Sequence, residues 1–127
     1  MADLIAAIDQ GTTSTRCILF DQSGSAVGSR QLEHDQIMPR AGWVEHDPQQ
    51  IWARTVTVAE QAMASAGVSA SDLAGVGITN QRETTVVWDR RTGQPYHNAI
   101  VWQDTRTGPL VAELERSGHG DLIRERA

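Results

Sequence analysis

The sequence predicts an α/β domain built on a mixed sheet. Two observations carry this. Three short apolar runs follow one another across tight turn clusters, which is the pattern of an antiparallel meander. A long stretch of helical periodicity then leads into a further apolar run, which is the pattern of a crossover into a parallel strand. The chain has 127 residues, 39% of them hydrophobic and 21% charged, a composition suited to one soluble globular domain or part of one.

The elements follow in order. Leu4 to Ile8 reads as a buried strand ending at Asp9. Gln10-Gly11-Thr12-Thr13-Ser14 is turn chemistry, and Thr15 to Phe20 reads as the second strand. Asp21-Gln22-Ser23-Gly24 turns the chain into a third, Ala26 to Leu32. Asp47-Pro48-Gln49-Gln50 opens a helix: Asp47 caps it, Pro48 suits its first position, and Gln50 stands where a capping box wants an amide. Ile51, Thr55, Val58, Ala59, Ala62, Met63 and Ala66 share one face, and Gly67 ends the helix. Leu73 to Thr79 reads as a fourth strand, parallel to an earlier one, and Thr84 to Trp88 as a fifth. Arg91 to Gln94 is a turn, and Ala99 to Trp102 a short apolar segment. Leu110, Val111 and Leu114 mark a helix stopping at Gly118, and a further helix starts at Asp121 and runs to Ala127. Trp43, Trp52 and Trp88 read as packing residues.

Composition excludes several function classes. The net charge is -5 and the longest basic run is Arg90-Arg91, so no nucleic-acid partner is expected. All 11 basic residues are arginine. A Schiff-base lysine, a P-loop lysine and a protein-kinase strand lysine are therefore ruled out within this chain. Any phosphate must be held by backbone N–H groups, hydroxyls, arginine or a metal. Cys17 is the single cysteine. It reads as a small buried hydrophobe and fits a reducing cytoplasm. No apolar run approaches a membrane span, and Asp3 and Asp9 bracket an N-terminal stretch without a basic flank, so neither a membrane partner nor a signal peptide is expected.

Three constellations carry candidate chemistry. In Asp9-Gln10-Gly11-Thr12-Thr13-Ser14-Thr15-Arg16, a carboxylate closes a buried strand beside a glycine- and hydroxyl-rich turn. Such a turn can form an anion-binding concavity, with Asp9 holding hydrated Mg²⁺ and Arg16 facing phosphate oxygens. The alternative is a polar hairpin in which Asp9 satisfies turn amides. In Thr79-Asn80-Gln81-Arg82-Glu83, Arg82 can donate to a small polyol while Glu83 accepts; the alternative is a solvated ion pair. In Trp102-Gln103-Asp104-Thr105-Arg106, Trp102 can pack on a polyol's carbons or stand half-buried at an element end. His34, His46, His97 and His119 match no zinc spacing. No nucleophile elbow, dinucleotide fingerprint or P-loop is present.

Together, Asp9 to Ser14, Gly42-Trp43-Val44-Glu45-His46-Asp47-Pro48, Gly77 to Thr84 and Ala99 to Asp104 closely resemble the N-terminal part of the FGGY carbohydrate kinases. The Asn-Gln-Arg-Glu-Thr segment resembles the glycerol kinases among them. The resemblance implies an RNase-H-like fold of the actin/hexokinase/Hsp70 type, here an incomplete first domain: residues 1–127 as the N-terminal part of domain I, without the C-terminal domain. It implies ATP-dependent phosphorylation of glycerol to sn-glycerol 3-phosphate in glycerol catabolism, with ATP and Mg²⁺ as cofactors and ADP as product. Thr12, Thr13, Ser14 and Arg16 would face the nucleotide phosphates, and Asp9 would hold Mg²⁺ through water. Arg82, Glu83 and Trp102 would bind glycerol. The general-base Asp is expected downstream of residue 127, so the 127-residue chain alone is expected to be inactive. The strand-four edge and the apolar face of the helix from Pro48 are expected to need cover from later elements. A homo-oligomer of the full-length enzyme stays open. Two other readings stay open as well: a stand-alone, non-catalytic polyol or nucleotide module, and a fragment of another FGGY sugar kinase.

Overall fold

In the computed structural model, residues 3–126 are described; the end of the last predicted helix at Ala127 lies outside them. Strand β1 spans Leu4–Gln10, β2 Ser14–Phe20 and β3 Ala26–Glu33. They form the predicted meander: β1 pairs antiparallel with β2, placing Asp9 opposite Arg16, and β2 pairs antiparallel with β3. A two-residue strand β4, Glu45–His46, precedes helix α1, Pro48–Ala66. Strand β5, Leu73–Asn80, lies parallel to β1, with Asp9 level with Thr79 and Gln10 level with Asn80. The sheet order is β3-β2-β1-β5. Strand β6, Ala99–Ile100, pairs with β4 in a second small sheet, and helices α2, Gly108–Arg116, and α3, Gly120–Arg126, follow.

Alternation along the strands decides which face is covered. Ala6, Cys17 and Leu19 point to the side on which Val58 and Ala62 of α1 lie, and these five residues form one buried cluster. Burial raises the Cys17 thiol above its ordinary value. Gly28 admits the helix: a Cβ there would sit 2.8 Å from the carbonyl oxygen of Ala62. The apolar face of α1 is thus covered by the chain's own sheet, contrary to expectation. Two surfaces stay open: the opposite sheet face, where Ile5 is 45% exposed, and the α1 side of edge strand β5, where Val76 and Ile78 stand level with Ala6 and Ile8 yet are 56% and 72% exposed. No helix among the described residues is long and apolar enough to cross a membrane.

The ends of α1 follow local chemistry. The Asp47 carboxylate accepts from the Gln49 N–H at 2.8 Å, Pro48 takes the first turn, and Gly67 closes it at φ 67°. Gln50 does not complete a capping box. Its Oε1 accepts from the Asp35 N–H at 2.6 Å and its Nε2 donates to the Asp35 carboxylate at 3.0 Å, so it ties the preceding loop to the helix instead.

The predicted fifth strand is not a strand. Thr85 bridges Ile100 and Trp88 bridges Pro95 as isolated pairs. Pro95 has no N–H to extend a ladder, and Asp89 folds the next residues into a turn by accepting from the Arg91 and Thr92 N–H groups at 2.7 and 3.1 Å. Two tryptophans also depart from expectation: Trp52 is 66% and Trp88 58% exposed. Trp43 does pack, beneath the guanidinium of Arg106 at 3.8 Å from its ring centre.

Candidate functional site

Parallel pairing of β1 with β5 brings two loops to one edge of the sheet. The first is the turn after β1, closed by Gly11 N–H donating to the Ser14 carbonyl at 2.9 Å. The second is the loop after β5, in which Glu83 adopts φ 57°. That left-handed conformation is uncommon for a residue with a side chain and bends the loop sharply. Thr12, Asn80, Gln81, Arg82, Glu83 and Trp102 surround an open cleft of ≈ 360 Å³ between the loops. Four predicted site residues, Thr12, Arg82, Glu83 and Trp102, therefore share one cleft. The Trp102 indole Nε1–H donates to the Thr12 hydroxyl oxygen at 2.9 Å, joining the predicted phosphate and polyol halves directly.

The other predicted residues lie nearby but outside that lining. Asp9 and Arg16 share the sheet face opposite α1 with Ile18 and Phe20, around a second depression of ≈ 440 Å³. Their carboxylate and guanidinium meet at 3.1 Å, both half-exposed, a pairing of small energetic value in solvent. A half-exposed carboxylate at a strand end suits a hydrated Mg²⁺, which keeps several waters and takes one or two carboxylates. Thr13 and Ser14 belong to the same turn; the Thr13 carbonyl accepts from the His34 N–H at 3.2 Å and the Ser14 hydroxyl from Gln31 Nε2 at 2.9 Å.

Behind the cleft lies a buried polar layer. The Thr12 carbonyl accepts from His34 Nε2 and from Gln36 Nε2, each at 3.0 Å. His46, 0% exposed, meets Gln36 Oε1 at 2.8 Å through Nε2 and Gln81 Nε2 at 3.1 Å through Nδ1. The Thr84 hydroxyl donates to Gln81 Oε1 at 3.2 Å and accepts from the Trp102 N–H at 3.4 Å. Burial, with the His34 ring at a centroid distance of 4.8 Å, pushes the His46 pKa down to about 4.

A second buried cluster fixes the Trp102 segment. The Arg106 guanidinium contacts Glu45 Oε1 and Asp104 Oδ2, each at 2.7 Å. Asp104 Oδ2 also accepts from the Val44 N–H at 2.7 Å. The Arg106 hydrogen bond holds the Asp104 carboxyl far below the usual carboxylate range. Hydrogen bonds from Arg106 and then Asn98 lower Glu45 likewise. Sequence reasoning missed these roles. In the sequence Glu45-His46 stands out only as part of a resembling motif, and the histidines fit neither zinc spacing nor a serine triad. The missed signal was a charged pair inside a segment of buried positions.

Residues 4–127 match the model of the FGGY family of carbohydrate kinases, N-terminal domain. The chain is 65% identical over its whole length to Glycerol kinase 1 of Streptomyces coelicolor, covering 25% of that relative. It is 60% identical over 126 residues to the glycerol kinase of Mycobacterium tuberculosis, covering 99% of this chain and 24% of that one. The chain thus spans about a quarter of the length of the curated relatives it matches. Among solved structures, Plasmodium falciparum glycerol kinase with ADP superposes with a TM-score of 0.78 at 40% identity, over 87% of this chain and 22% of that one. Gluconate kinase from Lactobacillus acidophilus superposes with a TM-score of 0.86 at 22% identity, over 96% and 24%, which shows the shared fold.

Proposed function

Because the chain belongs to the FGGY family of carbohydrate kinases, we propose that it is the N-terminal part of domain I of a glycerol kinase. The reaction moves the γ-phosphoryl group of ATP to a terminal hydroxyl of glycerol, giving sn-glycerol 3-phosphate and ADP. One observation carries the reading: Arg82, Glu83 and Trp102 face the same cleft as Thr12, and Trp102 bonds the Thr12 hydroxyl. A polyol reader and a phosphate reader thereby stand within one hydrogen bond of each other.

The residues divide the work by chemistry. Arg82 donates to glycerol hydroxyl oxygens, and Glu83 accepts from glycerol O–H groups. The Trp102 ring covers the carbon skeleton, which carries no hydrogen-bonding atoms. Thr12, whose hydroxyl oxygen accepts from Trp102, keeps its own O–H for a phosphate oxygen; the hydroxyl of Ser14 and the N–H groups of the turn add further donors. Asp9, beside Arg16, would hold Mg²⁺, and the ion would supply charge neutralisation at the phosphates. Phosphoryl transfer of this kind depends on positioning and electrostatics more than on covalent help. The part of the site carried by this chain meets that demand with hydroxyls, backbone N–H groups and arginine. The buried, free Cys17 suits a cytoplasmic enzyme.

The test is a coupled assay for ADP release by the protein carrying this chain, with Mg-ATP and glycerol, gluconate or xylulose as acceptor. Glycerol-dependent turnover forming sn-glycerol 3-phosphate is expected. Preference for either of the other acceptors, or release of ADP independent of acceptor, would overturn the assignment.

A further inference from the structure

We propose that His46 is a positioning residue, the centre of a one-way hydrogen-bond relay that holds the phosphate turn and the polyol loop in register. The direction of every bond is determined by its neighbours. The Thr12 carbonyl can only accept, so Gln36 turns its Nε2 toward it at 3.0 Å and presents Oε1 to His46 at 2.8 Å. At the other end, Trp102 N–H donates to Thr84 Oγ1 at 3.4 Å. The Thr84 hydroxyl then donates to Gln81 Oε1 at 3.2 Å. Gln81 is left with Nε2 facing His46 Nδ1 at 3.1 Å. An amide oxygen accepts and an amide N–H donates. His46 must therefore be neutral, with its proton on Nε2 and its lone pair on Nδ1.

One imidazole tautomer satisfies both sides, and donation runs head to tail from Trp102 to Thr12. Chains of this polarity strengthen one another, and in a buried setting a broken link is costly. The circuit closes at the surface, where Trp102 Nε1–H donates to Thr12 Oγ1 at 2.9 Å. Trp102 and Thr12 are thus tied twice, once across the cleft and once behind it. Arg82 and Glu83 hang between two relay members, Gln81 and Thr84. A shift at His46 moves the groups that grip the acceptor relative to the turn that grips the phosphate.

The kinetic part of the inference rests on the glycerol kinase reading; the spectroscopic part stands without it. The experiment labels histidine and tryptophan nitrogens in the protein carrying this chain and compares wild type with His46→Phe and Gln36→Met. Gln36 lies outside the cleft lining, and its replacement removes the His46-to-Thr12 link even if His46→Phe fails to fold. In the wild type at neutral pH, His46 is expected to carry its proton on Nε2 alone. In Gln36→Met the Trp102 N–H resonances are expected to move, although Gln36 does not bond Trp102. Glycerol phosphorylation by the folded variants is expected to lose about one to two decades in kcat with little change in either KM, the mark of lost alignment. A proton on Nδ1, unmoved Trp102 resonances, or wild-type kcat in folded Gln36→Met would each overturn the relay. A wild type inactive on glycerol but carrying the Nε2 proton and the Trp102 response would sink the proposed function and leave the relay standing.

Discussion

Acidification should loosen this fold before Asp104 and Glu45 titrate. The perturbation is a fall from about pH 7 to about pH 4. His46 is completely enclosed and its pKa is pushed down to about 4, whereas an unfolded histidine titrates near 6.5. His34 is lowered too, by burial first and then by the charge of Arg54, with Asp35 opposing. Between those two limits the unfolded chain binds protons that the folded chain refuses. Stability is therefore full above about pH 6.5 and is lost as pH falls toward 4, the sign for a base whose folded pKa is depressed. For His46 alone the loss is on the order of 3 kcal/mol, from about 1.4 kcal/mol per pH unit, and His34 adds to it. Asp104 and Glu45 are lowered carboxylates, so their contribution is full down to the ordinary carboxylate range, about pH 4, and is lost below it. The assay is urea unfolding at several pH values, with the His46 ring proton followed by NMR. His46→Gln should flatten the slope by about one proton, or roughly 1.4 kcal/mol per pH unit. A His46 resonance titrating near 6.5, or stability flat from about pH 7 to 5, would refute the argument.

Three further outcomes follow from the geometry. Arg82→Ala should weaken glycerol by about one to two decades while changing Mg-ATP affinity little, because a charge-assisted hydrogen bond is worth about 1.5–3 kcal/mol; glycerol and ATP titrations of the variant check this. Asp9→Asn should reduce turnover across a Mg²⁺ titration with little loss of stability, since its ion pair with Arg16 is half-exposed; an unchanged Mg²⁺ response would assign Asp9 to turn structure alone. Gly28→Ala should destabilise by about 1–3 kcal/mol, because the new methyl group would meet backbone of α1 at 2.8 Å; thermal unfolding measures it, and a stabilised variant would show that the helix can withdraw.

The fold was legible where one physical cause acted locally. The turns at Gly11 and Gly24, the Asp47-Pro48 start and the Gly67 stop all declare themselves in residue type. So does the meander, because each apolar run is bounded by turn residues. The run from Thr84 to Trp88 misled because its β-branched residues satisfy strand propensity while the partner segment, interrupted by Pro95, cannot supply a ladder. Trp52 and Trp88 misled because size and hydrophobicity say nothing about which side of an element faces the core. In the site, Thr12, Arg82, Glu83 and Trp102 were visible because their chemistry is exposed at strand ends. His46, Gln36 and Gln81 were not, because a relay depends on distances between residues far apart in sequence. The same holds for Glu45, Asp104 and Arg106, whose pairing spans 61 positions at its longest.

The left-handed turn at Glu83 has an evolutionary reading. Its loop is anchored on both sides, by Gln81 to His46 and by Thr84 to Gln81 and Trp102. Between those anchors stand Arg82 and Glu83, which are exposed and make no hydrogen bond or ion pair among the described residues. They form a two-codon cassette whose replacement leaves the scaffold's bonds in place. If these two residues grip the acceptor as proposed, acceptor preference can drift through them while the turn after β1 stays under separate selection. The drift is uneven. Position 82 admits any side chain that the cleft tolerates. Position 83, held at φ 57°, favours glycine, asparagine or aspartate and penalises β-branched residues. New acceptor chemistry should thus arise first at position 82, with position 83 changing among a smaller alphabet set by the backbone.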